Sequence, residues 1–357
     1  MKIIALSLDK KILDPHSPVA QRVVFFGNSL DRYIIIVPGA DKKIELSAKI
    51  LVLGVGGVNK VQSLFNIYQR LNSLLKKESF DLLTVQDTAF LAFLGHKIAK
   101  KFSLRLEVQV HGFEKSGFLR NYLAKKVLNQ ADLVRVVSGR LKSHLIKTYS
   151  INAEKIYIAP VAINVEDLAD SHTIDLHKIY PEHFIFLTIG RLVPVKNIAL
   201  QFAALKNIAD RQKVKLIVVG DGPEKDHLKK LANDLNIREQ VIFFGWQDNL
   251  GDFYHSADCL LLTSDSEGYG MVVAEAVACS LPVIMTDVGC AHELIKDGVN
   301  GFIIPVNNLS ALQEKMHFIR GGEALVGMKN NQKEFQDKIV SLESWRKDIL
   351  AKWKNIV

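Results

Sequence analysis

The stretch Thr263–Cys279, TSDSEGYGMVVAEAVAC, follows the apolar run Cys259–Leu262. An apolar run, a glycine-rich turn and a periodic apolar stretch predict a strand, a tight turn and a helix. Glu267 precedes the glycines of the turn, and Glu275 lies within the predicted helix. The amides and the positive dipole end of such a helix favour an anion, and neighbouring carboxylates favour hydroxyl groups. The stretch therefore predicts a site for a phosphorylated polyol, unless the two glutamates are merely solvated turn and helix residues.

The composition is that of a globular protein long enough for two domains. The chain has 357 residues, of which 48% are hydrophobic and 24% are charged. Its apolar runs are shorter than the roughly 18 residues of a membrane span, and the apolar start Met1–Leu6 is too short for a signal peptide. Three cysteines without metal-site spacing are typical of core thiols in a reducing compartment. We therefore expect a cytoplasmic protein.

Charge is distributed unevenly along the chain. Residues 1–170 carry 25 Lys and Arg against 15 Asp and Glu, whereas residues 171–357 carry 21 against 23. This asymmetry indicates an anionic partner for the first half, and a membrane surface is one candidate. Phe118, Leu119 and Tyr122 lie beside basic residues on a predicted helix, as expected for a peripheral membrane protein, although a solvated basic face is the alternative.

Alternating strands and helices predict an α/β fold with two domains. Residues 1–170 and 171–340 each contain such a series, so each domain is expected to be a doubly wound, Rossmann-like sheet covered by helices. Ligands bind beyond the carboxyl ends of parallel strands, and two such domains would face each other across a cleft. The helical segment 341–357 either packs back onto the first domain or is an ordinary amphipathic helix.

Two further strand ends carry candidate binding groups. Gly190-Arg191 follows a predicted strand, and Lys196-Asn197 opens the next helix. An arginine fork and a lysine point charge at these positions suit phosphate oxygens, although Arg191 could instead pair with a carboxylate. His111 ends a strand of the first domain, where its imidazole could bind a sugar hydroxyl or be satisfied by backbone groups. The turn Gly220–Pro223 is a weaker nucleotide-binding signal.

The segment Glu267–Glu275 resembles the two-glutamate motif of family-four retaining glycosyltransferases, which have the GT-B fold of two Rossmann-like domains. Other landmarks of that family are resembled by His111-Gly112, Gly190-Arg191 with Lys196-Asn197, Gly220–Pro223, Phe244-Gly245 and Gly289–Gly301. The likeness spans nearly all of residues 100–305. Ser280 and Cys290 depart from it, because glycine is usual at both positions.

The resemblance implies a role for each matched residue. Arg191 and Lys196 would hold the donor diphosphate, and Glu275 would hold the ribose hydroxyls. Glu267 would contact the donor sugar, and His111 would line the reacting face. The implied catalytic residues are His111, Arg191, Lys196 and Glu267. The implied donor-binding residues are Gly190, Arg191, Lys196, Gly222, Gly245, Trp246, Glu267, Gly268, Tyr269, Gly270 and Glu275.

The same resemblance implies the reaction. A hexose or N-acetylhexosamine would pass, with retention, from a UDP- or GDP-sugar to a saccharide or lipid-linked acceptor in cell-envelope polysaccharide or glycolipid synthesis. We expect neither metal nor other cofactor, because no D-x-D carboxylate pair is present to hold Mg²⁺. The alternatives are a sugar-nucleotide epimerase of similar fold and a non-catalytic nucleotide-sugar-binding subunit. Nucleic acid is not an expected partner, because the basic residues lack interleaved aromatics.

Overall fold

A computed structural model describes residues 1–113, 117–169, 173–208 and 210–357. Internal contacts divide this chain into one unit formed by Met1–Ala159 with Arg346–Val357, and a second unit formed by Pro160–Trp345. The predicted boundary between residues 170 and 171 lies outside the described residues. Each unit is an α/β structure with a mainly parallel sheet, so the predicted fold class is confirmed.

The sheet of the first unit pairs its described strands in the order β3-β4-β2-β1-β5-β6-β7-β8. The strands are β1 (Lys2–Leu6), β2 (Arg32–Pro38), β3 (Lys42–Ser47), β4 (Ile50–Val55), β5 (Leu82–Val85), β6 (Arg105–Val110), β7 (Leu133–Val136) and β8 (Ile156–Ile158). Most are short buried runs rich in β-branched residues, as expected for strands covered on both faces. Their carboxyl ends meet at one edge of the sheet, where ligands are expected.

Strand β3 departs from the predicted all-parallel sheet, because it pairs antiparallel with β4 at the sheet edge. Its sequence, KKIELS, is short and charged, and Lys42 and Lys43 are exposed. The apolar periodicity that identifies buried strands is therefore weak. Lysines on an edge strand discourage pairing with other chains, so this composition suits the position.

Helices cover the first sheet. Those between its strands are α1 (Pro18–Gly27), α2 (Lys60–Leu75), α3 (Phe90–Phe102), α4 (Phe118–Gln130) and α5 (Gly139–Tyr149). Helix α5 was not predicted, although Ser138 caps it by accepting a hydrogen bond from the Leu141 amide. Its apolar positions are few, so the hydrophobic signal is weaker than the capping signal.

The second unit also has a parallel sheet with helices. Its described strands pair in the order β11-β10-β9-β12-β13-β14. The strands are β9 (Phe184–Ile189), β10 (Val214–Val219), β11 (Val241–Gly245), β12 (Cys259–Leu262), β13 (Val283–Thr286) and β14 (Gly301–Ile304). Its helices are α6 (Leu176–Ile179), α7 (Ile198–Lys206), α8 (Lys225–Asp234), α9 (Gly251–Ser256), α10 (Met271–Ala278), α11 (Leu309–Phe318) and α12 (Gly322–Gln336). A buried apolar cluster under α7, α8 and α11 forms the core on one face of this sheet.

The last helix, α13 (Leu342–Lys354), brings a tryptophan into the core of the first unit. The Trp353 ring is 1% exposed and packs edge-on against Phe26, with the ring centroids 5.3 Å apart. Its indole N–H donates a hydrogen bond of 2.9 Å to Oε1 of Glu107. Arg346, earlier on the same helix, lies over the Phe25 ring. The chain end is therefore integrated into the first unit by burial and hydrogen bonding.

Candidate active site

An ion pair joins the turn after β9 to the turn after β12. Nζ of Lys196 lies 2.5 Å from Oε1 of Glu267, and the Ser264 hydroxyl donates to the same oxygen at 2.7 Å. The two charged side chains are only 20% and 14% exposed. The turns are also joined through the Thr263 hydroxyl, which donates to the Lys196 carbonyl. Two residues predicted from separate motifs are thus in direct contact.

Arg191 stands beside this pair. Gly190, Arg191 and Lys196 line one recess together with Thr263 and Ser264. Arg191 is exposed, and within the described ranges its guanidinium forms no hydrogen bond or ion pair. The alternative interpretation, in which Arg191 pairs with a carboxylate, is therefore not what the structure shows. A free planar cation at a strand end is suited to binding an anion.

The glycine turn after β10 packs directly against the turn that carries Arg191. A Cβ on Gly222 would lie 2.3 Å from the carbonyl oxygen of Leu192, so no larger residue fits there. The Leu192 amide donates to the Asp221 carbonyl at 2.9 Å, and the Glu224 amide donates to the Leu192 carbonyl at 3.0 Å. Gly222, predicted as a donor-binding residue, therefore has a packing role in holding these turns together.

The turn before α10 is shaped by Gly270. This residue has φ +94° and occupies the N-cap position of the helix, a conformation that L side chains rarely adopt. Tyr269 before it is buried, and its carbonyl accepts a hydrogen bond of 2.7 Å from the Cys290 amide. Cys290 is fully buried, and burial raises its thiol pKa. The departure from glycine at position 290 thus supplies a neutral thiol packed beneath the turn of Glu267 and Gly268.

Glu275 projects from α10 toward Tyr254 of helix α9. The Tyr254 hydroxyl donates a hydrogen bond of 2.6 Å to Oε2 of Glu275. Burial raises the pKa of Glu275, and the Tyr254 bond acts in the opposite direction. Among the described residues, the other carboxylate oxygen of Glu275 has no hydrogen-bond donor. Sequence reasoning missed Tyr254, because a tyrosine in a short helix has no spacing that marks it as a partner of Glu275.

Gly245 ends strand β11, and Trp246 follows it. The Gly245 carbonyl accepts a hydrogen bond of 2.7 Å from the Gly220 amide, which fixes this turn to the neighbouring glycine turn. Trp246 is 60% exposed, and its indole N–H donates to Asp248 at 3.0 Å. The indole face is thus positioned at the carboxyl edge of the sheet, where a planar base could stack on it.

His111 lies in the first unit, at the carboxyl end of β6. Its Nε2 is 3.2 Å from the side-chain oxygen of Gln109. Crowding by protein atoms, and then the positive charge of Arg135, lowers the pKa of His111 to about 4. The residue keeps a solvent-exposed surface at the strand end. The imidazole is neutral near pH 7, as a hydrogen-bond acceptor for a hydroxyl group must be.

In the part of the chain that the structure describes, no group of three or more His, Cys, Asp or Glu side chains could hold a metal ion. Among those residues, no helix has the length and hydropathy needed to cross a bilayer.

Family models match both units. The model "Glycosyltransferase Family 4" matches residues 31–167, and the model "Glycosyl transferases group 1" matches residues 173–343. The chain belongs to the group 1 glycosyltransferases. The predicted family is thereby confirmed, and so is the predicted glycosyltransferase function.

Curated relatives of this glycosyltransferase include proteins named for specific reactions. N-acetyl-alpha-D-glucosaminyl L-malate synthase of Bacillus anthracis is 26% identical over 69% of this chain and 67% of its own length. UDP-Gal:alpha-D-GlcNAc-diphosphoundecaprenol alpha-1,3-galactosyltransferase of Escherichia coli is 25% identical over 71% of this chain and 69% of its own length. Neither epimerases nor non-catalytic subunits are favoured by these relatives.

A solved structure supports the fold of this glycosyltransferase. HepE of Anabaena, crystallised with UDP, superposes with a TM-score of 0.82 over 99% of this chain and 100% of its own. The sequence identity is 18%, so this likeness establishes the GT-B fold and not a substrate.

Proposed function

We propose that this glycosyltransferase moves a hexose or N-acetylhexosamine from a nucleoside-diphosphate sugar to a saccharide or lipid-linked acceptor, with retention and without a metal ion. The product would belong to cell-envelope polysaccharide or glycolipid synthesis. The observation that carries the proposal is the exposed Arg191 guanidinium, which has no partner among the described residues, beside the partly buried Lys196–Glu267 pair. A neutral ligand would need no such excess cation.

In this proposal, the second unit holds the donor. Arg191 and Lys196 bind the diphosphate, and Glu275 binds the ribose hydroxyls through the oxygen that Tyr254 leaves free. Glu267 binds the donor sugar, while Trp246 contacts the base. The backbones of Gly190, Gly222, Gly245, Gly268, Tyr269 and Gly270 line the same strand ends. UDP is one candidate nucleotide, because the Escherichia coli relative is named for UDP-galactose and HepE was crystallised with UDP.

The chemistry of the leaving group supports metal independence. A nucleoside diphosphate departs readily when fixed positive groups stabilise its developing charge, and groups already in place need no reorganisation. Arg191 supplies one such group. Lys196 supplies the second once donor binding draws it from Glu267, which would then be free to accept from a sugar hydroxyl. This exchange of partners links donor binding to the orientation of Glu267.

Retention requires attack on the face from which the diphosphate leaves. No carboxylate is assigned as a covalent nucleophile, so a departing phosphate oxygen would accept the proton of the acceptor hydroxyl on that face. His111 would line the reacting sugar with its neutral ring. NMR of the product made from an α-linked donor should show an α-linkage. A β-linked product, or a glycosyl group trapped on Glu267, would refute this part.

The acceptor is assigned to the first unit. An open cavity of about 790 Å³ lies where strands β2 and β4 end. Its charged lining comprises Lys10, Lys60 and Arg120 against Asp87, with Phe90 among the apolar side chains. An excess of cations beside apolar surface suits an amphiphilic anion, such as a lipid-linked diphosphate sugar.

The basic first half supports a peripheral position on the inner face of the cell membrane. At the start of α4, Phe118, Leu119 and Tyr122 are 92%, 56% and 58% exposed. Lys125 and Lys126 lie on the same helix. Exposed apolar groups beside cations suit an anionic bilayer. Flotation with liposomes should show binding that anionic lipid promotes and salt weakens, and absence of binding would remove this element of the proposal.

A ligand screen by thermal shift tests the proposed function as a whole. A ligand that binds only the native state raises its melting temperature by mass action. We expect one of UDP, GDP and ADP to raise the melting temperature, and the corresponding nucleotide sugar to raise it further. The matched control is Arg191→Ala, whose melting temperature should respond little to the same ligand. No response of the native protein to any nucleoside diphosphate would contradict the proposal.

A further inference from the structure

Polar residues on one face of the first sheet form a connected cluster around Glu107. Glu107 and Gln109 lie two residues apart on β6 and so share a face of the sheet, and His111 follows directly after the strand end. Thr84 is the register partner of Glu107 on strand β5. Arg135, on strand β7, is the register partner of Gln109. The cluster lies within the first unit and ends at His111.

Glu107 is completely buried, and both carboxylate oxygens accept hydrogen bonds. Oε1 accepts from the Tyr157 hydroxyl and the Trp353 indole, and it lies 3.8 Å from the guanidinium of Arg135. Oε2 accepts from the Thr84 hydroxyl and, at 3.3 Å, from the amide nitrogen of Gln109. A carboxylate with donors on both sides can only accept, so it sets the direction of every bond around it.

The direction of these bonds fixes the Gln109 amide. The Thr84 hydroxyl gives its single proton to Glu107, so toward Gln109 it can only accept. The Gln109 nitrogen donates to Thr84 at 2.6 Å and also to Glu107. Rotating the amide by half a turn would place its oxygen against two acceptors. The Gln109 oxygen must therefore face His111, at 3.2 Å from Nε2.

We infer that Glu107, acting through Gln109, holds His111 as the tautomer with the proton on Nε2 and the lone pair on Nδ1. Since the Gln109 oxygen can only accept, Nε2 must be the donor. Among the described residues, nothing hydrogen-bonds to Nδ1, which is left as the acceptor for a substrate hydroxyl. Glu107 and Gln109 are then positioning residues. The significance of this tautomer for transfer rests on the proposed role of His111.

Helix α13 also contributes a hydrogen-bond donor to the cluster. Trp353 supplies a donor to Glu107 from helix α13, and Tyr157 supplies another from β8. Both bind Oε1, whereas Gln109 and Thr84 bind Oε2. Losing one donor on the Oε1 side should weaken the fold without reversing the Gln109 amide. The two sides of the carboxylate can therefore be tested separately.

Long-range ¹H–¹⁵N NMR of the full chain labelled with [¹⁵N]histidine reads the tautomer directly. The unprotonated imidazole nitrogen resonates well downfield of the protonated one, and a His111→Gln spectrum identifies the signal among the 11 histidines. Near pH 7 we expect Nε2 to be protonated in the native protein. Glu107→Gln and Gln109→Leu should each give mixed tautomers. Tyr157→Phe, which removes a donor on the Oε1 side only, should leave the native pattern unchanged.

A native spectrum with the proton on Nδ1, or a Gln109→Leu spectrum identical to native, would overturn the inference. Gln109 is partly exposed, so its leucine variant keeps the test decisive if Glu107→Gln does not fold. Kinetics separate this inference from the proposed function. Gln109→Leu should lower kcat on the order of tenfold, the size of one hydrogen bond, while the donor KM changes little. An altered tautomer with unchanged kcat would refute the role of His111 and leave the tautomer assignment intact.

Discussion

In the second unit, Arg191, Lys196 and Glu267 stand on turns that follow strands, and Arg191 is exposed with no partner among the described residues. In the first unit, Glu107 lies within a strand, is fully buried, and accepts hydrogen bonds on both oxygens. The turns of the second unit therefore leave a cation available to bind a ligand. The Glu107 carboxylate of the first unit instead uses its hydrogen-bonding capacity on neighbouring side chains, which suits a role in orienting them.

This difference separates two kinds of polar residue that composition alone does not distinguish. Removing a residue from the turns of the second unit should affect the reaction more than the fold. Removing a residue from the Glu107 cluster should affect the fold first, and the reaction only through His111. Variants in these two regions should therefore differ in whether the fold or the reaction is affected.

The largest expected effect is on folding. Glu107→Ala leaves Arg135 and the donors of Tyr157, Trp353 and Thr84 without their shared acceptor, and breaking a buried pair in this way costs about 3–5 kcal/mol. Urea unfolding measures the loss. Glu45→Ala is the matched control, because Glu45 pairs with Lys43 on the exposed edge strand and its loss should cost far less. Similar losses of stability in the two variants would show that the buried Glu107 cluster stabilises the first unit no more than an exposed ion pair does.

Arg191→Ala should lower kcat/KM about 10²–10³-fold, the typical loss when one preorganised group that stabilises developing charge is removed. Its unfolding free energy should stay close to native, because the guanidinium has no partner among the described residues. Initial rates with the nucleotide sugar identified by the thermal-shift screen provide the measurement. Arg238→Ala, another exposed arginine of this unit, serves as control and should retain activity. Loss of stability in Arg191→Ala would show that Arg191 stabilises the fold, as the residues of the Glu107 cluster do.

Trp353→Phe isolates the hydrogen bond that the chain end gives to Glu107. The ring contact with Phe26 is kept in large part, and Oε1 of Glu107 keeps the Tyr157 donor, so we expect only the loss of one hydrogen bond to a charged group, about 1.5–3 kcal/mol. Thermal and urea unfolding are the readouts. Trp345→Phe, on the same helix but only partly buried, should cost less. Equal costs would show that helix α13 contributes packing alone.

The smallest effect concerns Glu275 and pH. Burial raises its pKa in the folded state, so between the unfolded value, about 4.3, and the raised value the native protein binds more protons than the unfolded chain. Stability therefore falls as pH rises through that window. Glu275→Gln should raise the melting temperature of the ligand-free protein at pH 7 but not at pH 4, because the Gln oxygen can still accept from Tyr254. The same variant should bind nucleotide weakly, and a variant no more stable than native at pH 7 would contradict this.

Sequence reasoning succeeded where short-range chemistry decides the structure. The alternation of strands with helices is a local signal, and it predicted the fold class correctly. The glycine turns and the charges that follow strands are local signals too, and they indicated Arg191, Lys196 and Glu267, whose roles stay predictions. It failed where partners meet only in the folded chain. Tyr254, Gln109 and Glu107 acquire their importance from neighbours on other elements, and the register that joins them is not encoded in spacing.

The sequence also did not show why each glycine is required. Gly222 and Gly270 were both predicted to border the donor, yet Gly222 is required by the approach of the Leu192 backbone and Gly270 by a left-handed conformation. A glycine marks a backbone constraint, and only the structure shows whether a ligand or a neighbouring turn imposes it.

Calorimetric titration of the intact protein with UDP, GDP and ADP tests the central claim, that protein cations rather than a divalent ion hold the diphosphate. One nucleotide should bind with the same affinity in EDTA and in MgCl₂, and Arg191→Ala should weaken that binding at least about tenfold, since hydrogen bonds to charged groups contribute about 1.5–3 kcal/mol. Binding that appears only with Mg²⁺, or an affinity unchanged in Arg191→Ala, would contradict the account.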